Sequence, residues 1–146
     1  MKKLLFSALA IAALAITATA VADDIPIDAK KLPVPAQKYL KVHFAKNKVV
    51  LATHDRDASD NDFTVVLDNG VKVEFDRAGV WESVKSRGAA IPSTVIPVKV
   101  AQYVQKNYAS YTIEKIERKR YGFEVELSND LDLKFASDGR FIGIDD

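Results

Sequence analysis

FTVVLDNGVKVEF, residues 63–75, returns sixty positions later as FEVELSNDLDLKF, residues 123–135. In the first stretch Phe63, Val65 and Leu67 alternate with Thr64 and Val66, and Val71, Val73 and Phe75 alternate with Lys72 and Glu74. A period of two marks strands with one buried face. Parity then decides the turn. A two-residue loop at Asn69-Gly70 would set Leu67 against Lys72 and Val65 against Glu74, mixing core with charge. A three-residue loop, Asp68-Asn69-Gly70, pairs Leu67 with Val71, Val65 with Val73 and Phe63 with Phe75, and gives Gly70 the left-handed third position. The same rule in the second stretch selects Ser128-Asn129-Asp130, where Asp130 takes the left-handed position at a cost. Applied once more, it pairs Phe75 with Trp81 across Arg77-Ala78-Gly79, and Phe135 with Phe141 across Ser137-Asp138-Gly139.

Upstream of each stretch lies a helix signal. Pro35 and Pro97 suit a first helical turn. Ala36, Tyr39, Leu40 and Phe44 then fall at helical spacing, as do Val100, Tyr103, Val104 and Tyr108. A further strand follows each helix, at Val49–His54 and at roughly 112–118, the latter without a readable register. The expected fold class is α+β: a tandem repeat, each copy one helix packed on a four-stranded antiparallel meander sheet. The expected boundaries are an N-terminal arm over 23–31, repeat 1 over 32–88 and repeat 2 over 89–146, packed as one globular unit.

Residues 1–22 read as a signal peptide. Lys2 and Lys3 form a positive start, Leu4–Ile16 an apolar run, and Ala20-Val21-Ala22 a small-residue cleavage site before Asp23. The run is short for a membrane span, so a periplasmic or secreted protein is expected, with no stable membrane insertion once the signal is cut. Cleavage removes two lysines and leaves the acids one ahead of the bases. That balance gives no reason to expect nucleic acid as partner. There is no cysteine, so no disulfide can staple the fold.

The order of Leu32-Pro33, Tyr39-Leu40, Phe44, Asn69-Gly70, Val71–Asp76, Gly79-Val80-Trp81-Glu82 and Ile91–Pro97 resembles the PepSY-like family, also described as β-lactamase-inhibitor-like. The resemblance covers about residues 32–144. It implies a fold similar to the β-lactamase inhibitory protein, which presents an open sheet to its target, and a peptidase or other envelope hydrolase as the class of partner.

Candidate chemistry is sparse. The loop from His54 to Asp62 has metal-ligand character, but tested as a calcium loop from Asp55 it has Asp60 where a glycine is needed and Val66 where a bidentate glutamate belongs. It reads as a solvated hairpin tip, the alternative being a weak cation site over Asp55–Asp62. Its acidity contrasts with the net positive Glu117–Arg120 segment at the corresponding connection. His43 and His54 have no cysteine or serine partner that would suggest a metal set or a nucleophile. No catalytic residue, metal ligand or cofactor is therefore expected, and the chain is read as not an enzyme.

The remaining candidate is the sheet face pointing away from the helices. Parity assigns it Thr64, Val66, Lys72, Glu74, Val80, Glu82 and Val84, then Glu124, Glu126, Asp132, Lys134, Arg140, Ile142 and Ile144. Of these, Val66, Lys72, Glu74, Val80, Glu82, Glu124, Glu126, Lys134, Arg140 and Ile142 are the expected contact residues for a protein or peptide partner in the envelope. Aliphatics scattered among charges suit a wet recognition surface. The alternative is a small-ligand carrier with a cavity between helix and sheet or between the two copies.

Overall fold

In the computed structural model, residues 24–57, 62–86 and 88–145 are described; the signal peptide expected over 1–22 lies outside them. The elements run β1 (Asp24–Pro26), α1 (Val34–His43), β2 (Val49–Asp55), β3 (Phe63–Leu67), β4 (Lys72–Phe75) and β5 (Trp81–Lys85). They continue with α2 (Val98–Asn107), β6 (Ile113–Lys119), β7 (Gly122–Leu127), β8 (Asp132–Ala136) and β9 (Phe141–Asp145).

The strands form one antiparallel sheet of nine, hydrogen-bonded in sequence order from β1 to β9. This corrects the expected α+β tandem of two four-stranded units: the described residues are mostly β, with two α-helices on a single sheet. The junction is β5 against β6, where Ser83 pairs Glu117, Val84 pairs Ile116 and Lys85 pairs Lys115. Two separate meanders would each have left an unpaired edge here, and joining them satisfies both rows of backbone groups. Trp81 also bridges the junction, its ring 6.0 Å from Tyr39 on α1 and stacked 6.4 Å from Phe123 on β7. The expected N-terminal arm supplies β1, which pairs Ile25 with His54, and a 3-10 turn at Ala29–Lys31.

Hairpin register follows parity. Phe63 pairs Phe75, Val65 pairs Val73, Phe123 pairs Phe135 and Val125 pairs Leu133. Gly70 has φ 83° and Asp130 φ 66°, both left-handed. The helices cover the apolar face of the sheet. Tyr39 stands edge-on to Phe75 at 5.7 Å, and Tyr103 stands edge-on to Phe135 at 5.5 Å and stacks on Phe141 at 4.4 Å. Beneath the start of α1 the β4–β5 turn packs so closely that a Cβ on Gly79 would lie 2.7 Å from Pro33 Cβ. Phe75, Phe135, Leu127, Ile116, Val65 and Val125 are fully buried in one continuous core.

Parity fails at the strand bulges. Phe75 pairs Trp81 but Glu74 pairs Ser83, so Glu82 is an extra residue; Ile142 is its counterpart between Phe135–Phe141 and Lys134–Gly143. A bulge puts two residues opposite one and inverts the alternation beyond it. Val84 therefore pairs Val73 and is fully buried, not outward, while Ser83 and Lys85 take the outer face. Ile144 likewise pairs Leu133 on the helix side, though at the sheet edge it stays half exposed.

Candidate functional site

The face opposite the helices is built from strand residues whose partners are fixed by register. One row crosses eight strands: Leu51, Val66, Lys72, Lys85, Lys115, Glu126, Asp132 and Asp145, each the cross-strand partner of the next. The row beside it reads Thr53, Thr64, Glu74, Ser83, Glu117, Glu124, Lys134 and Gly143. Alternation places these residues on the side away from Val65, Val73, Val84, Ile116, Val125 and Leu133, all fully buried.

Of the ten residues expected at the face, Val66, Lys72, Glu74, Glu124, Glu126 and Lys134 lie in these rows. Val80 and Arg140 instead sit exposed just past the β4–β5 and β8–β9 turns, and Glu82 and Ile142 are bulge residues. Sequence reading missed Leu51, Lys85, Lys115, Glu117, Lys119 and Asp145. The second-row alternation of β6 was the available signal, blurred by the bulge at Glu114 between the Ile113 and Lys115 pairs. The segment Glu117–Lys119 belongs to β6 rather than to a loop. Its Arg118 turns to the helix side, with the guanidinium 5.8 Å above Trp81 and a donor 3.3 Å from the Trp81 carbonyl oxygen.

Ion pairs stitch the charged rows. Lys72 pairs Glu74 at 2.6 Å, Lys134 pairs Asp145 at 2.8 Å, and Glu117 receives both Lys115 and Lys119. Burial alone would raise Glu117, but hydrogen bonds from the two lysines hold its carboxyl below the usual range. Asp132 moves the other way. Partial burial, then Glu124 and Glu126 beside it, raise its carboxyl. The Tyr121 hydroxyl donates to Glu124 Oε2 at 3.0 Å and is pushed up to about 12, by burial first and that bond second.

Elsewhere the two histidines have structural surroundings. His43 Nδ1 lies 2.7 Å from Thr94 Oγ1 in the segment between β5 and α2, and His54 stacks on Phe63 at 4.4 Å. Asp62, buried at the base of the β2–β3 loop, accepts from Arg77 at 3.0 Å. Among the described residues no group of three or more His, Cys, Asp or Glu is placed to hold a metal ion, and no helix is long and apolar enough to cross a membrane. A groove of about 480 Å³ runs between α2, the segment that precedes it and the start of β6, lined by Ala89, Ile91, Ile96, Val104, Tyr111 and Ile113 among others.

Comparison with known proteins gives a consistent answer. The family model described as "Putative beta-lactamase-inhibitor-like, PepSY-like" matches residues 61–143. Three solved structures align over nearly their whole length. The "putative calcium-regulated periplasmic protein" of Bacteroides thetaiotaomicron is 39% identical over 84% of this chain and 97% of its own, with a TM-score of 0.78. A "putative periplasmic protein" of the DUF2874 family from Bacteroides vulgatus is 39% identical over 86% and 99%, at 0.76. A second Bacteroides vulgatus protein, "of unknown function", is 33% identical over 84% and 99%, at 0.77. None of the curated proteins matches the chain. All three structures are named periplasmic, the location expected from residues 1–22.

Proposed function

Because the chain belongs to the PepSY-like family, we propose that it is a non-enzymatic periplasmic protein-binding module acting through the sheet face opposite its helices. The observation that carries this reading is that face itself: two register rows across eight strands on the side of the sheet away from both helices, which among the described residues pack on the apolar face. Leu51 and Val66 adjoin at one end, with Leu51 46% exposed, and the rest is mainly charged, with Thr53, Thr64, Ser83 and Gly143 among the charges. An apolar contact rimmed by charge is the anatomy of a wet interface of modest affinity. An envelope hydrolase, peptidases foremost, is the partner class.

The carrier reading is the weaker one. The aromatic layer between helix and sheet is filled, Phe75 and Phe135 being fully buried in close contact with Tyr39 and Tyr103, so a carried ligand would have to sit instead in the groove beside α2 and Ile113.

Affinity capture from the periplasm, with the chain from Asp23 as bait, tests the proposal. The control is a Leu51→Asp/Val66→Asp variant shown to be folded by its thermal transition. A hydrolase retained by wild type, lost with the variant and slowed when bound supports the reading. Equal retention by both baits, or none by either, sinks it.

A further inference from the structure

The charges of the long row are sorted, not interleaved. Lys72, Lys85 and Lys115 are successive cross-strand neighbours on β4, β5 and β6, and Glu126, Asp132 and Asp145 follow on β7, β8 and β9. Like charges directly opposite one another destabilise a sheet, so the isolated chain carries a cost here that simple interleaving would remove. Asp132 is raised above the usual carboxylate range by burial first and then by Glu124, Glu126 and Asp145, with Lys115 opposing.

The order is also antisymmetric about the β6–β7 line. A two-fold axis parallel to the strands at that line sets β4 over β9, β5 over β8 and β6 over β7 of another copy. Lys72 then meets Asp145, Lys85 meets Asp132 and Lys115 meets Glu126, each twice, as an isologous interface requires. We propose that the charged face of β4–β9 binds a second copy of this chain face to face.

The neighbouring row sets Ser83 over Lys134 and Glu74 over Gly143. It also sets Glu117 over Glu124, a like-charge contact that Lys115 and Lys119 blunt because both already pair Glu117. The intrachain pairs of Lys72 and Asp145 are partly exposed and exchange at little cost. Leu51 and Val66, on β2 and β3, project beyond the overlap and stay open in each copy. The inference rests on reading this face as the binding surface and names one partner for its charged part.

Size sets the strength. Six strands at about 4.8 Å spacing and about 16 Å of strand give roughly 400 Å² per copy. Twice that falls below the ~1,200 Å² of stable complexes, so the dimer is weak and governed by charge.

Sedimentation of the purified chain from Asp23 tests it, at about 20 mM and about 500 mM salt, across which exposed charges are progressively screened. Dimer at low salt and monomer at high salt is expected. Lys85→Glu and Asp132→Lys should each weaken dimerisation about tenfold or more, yet an equimolar mixture of the two should recover it, since each mixed pair is again opposite in sign. Both variants break up like-charge neighbours, so neither should melt below wild type. A monomeric wild type at low salt overturns the proposal. So does a mixture that associates no better than its components. Because no envelope partner is present, self-association can fail while capture through Leu51 and Val66 succeeds, and the reverse.

Discussion

Asp130 and Gly70 occupy the same turn position in two hairpins, and only the second residue is suited to it. Asp130 holds φ 66° with a Cβ present, whereas Gly70 holds φ 83° with open space around it. Asp130→Gly should stabilise the fold by about 0.5 kcal/mol, the relief of the left-handed backbone outweighing the added chain entropy of glycine. Chemical denaturation of the two proteins measures it. Tyr39 presents the opposite imbalance. Among the described residues its buried hydroxyl has no hydrogen-bond partner, and burial raises its pKa. Tyr39→Phe keeps the ring against Phe75 and Trp81 while removing a desolvated polar atom, so its stability should equal or exceed wild type by up to about 1 kcal/mol. A loss larger than that would mean the hydroxyl has a partner in solution. His43 adds a pH term. Burial depresses its imidazole, so the neutral ring contributes stability that is present above the unfolded value near 6.5 and lost as pH falls. The melting temperature of wild type should therefore drop more between about pH 7.5 and 5.5 than that of His43→Asn.

At the scale of elements, the turns are where the helices are gripped. Gly79 approaches Pro33 and the Ala36 amide, and Gly139 approaches Lys99 Cβ in the same way. Gly79→Ala adds a clash to a strained φ of 84° and should cost about 2 kcal/mol or more, lifting α1 off Phe75. Loss of near-ultraviolet circular dichroism from the Tyr39–Trp81 pair would report that movement at temperatures where the sheet persists. These hairpins were legible in the chain because Lys72, Glu74, Glu124 and Lys134 punctuate apolar runs at period two, and only one loop length kept Val65 against Val73. The bulges were not legible. An extra residue at Glu82 or Ile142 leaves composition unchanged and shows only in which residue bonds to which. It was this that misplaced Val84 and drew Glu82 and Ile142 into the expected face. Strand β6 was harder still, with Glu114 bulged and Arg118 facing inward on Trp81 among charges that otherwise face out.

The nine-stranded sheet could not be read from the chain because pattern specifies which face of a strand is buried, not which strand lies beside it. Nothing in Ser83-Val84-Lys85 names Glu117-Ile116-Lys115 as neighbour, and the three residues of β1 are too few to carry a period. The continuity has a thermodynamic consequence. Two independent helix-and-meander units would unfold in separate steps, whereas one sheet with a shared core loses both halves together. Ile116 is the residue to probe, fully buried on β6 and paired with Val84 of β5 on one side and Val125 of β7 on the other. Ile116→Ala should cost about 2–5 kcal/mol as a buried truncation. In calorimetry of the chain from Asp23, the whole transition should shift down as a single peak, with van't Hoff and calorimetric enthalpies equal. A variant that melts in two steps, the unit before residue 88 unmoved, would mean that the β5–β6 ladder joins the halves without coupling them. If the single peak holds, the charged row spanning that junction is a rigid surface. Lys85 on one side and Asp132 on the other then keep a fixed spacing, the condition that a face reading its own mirror order of charge requires.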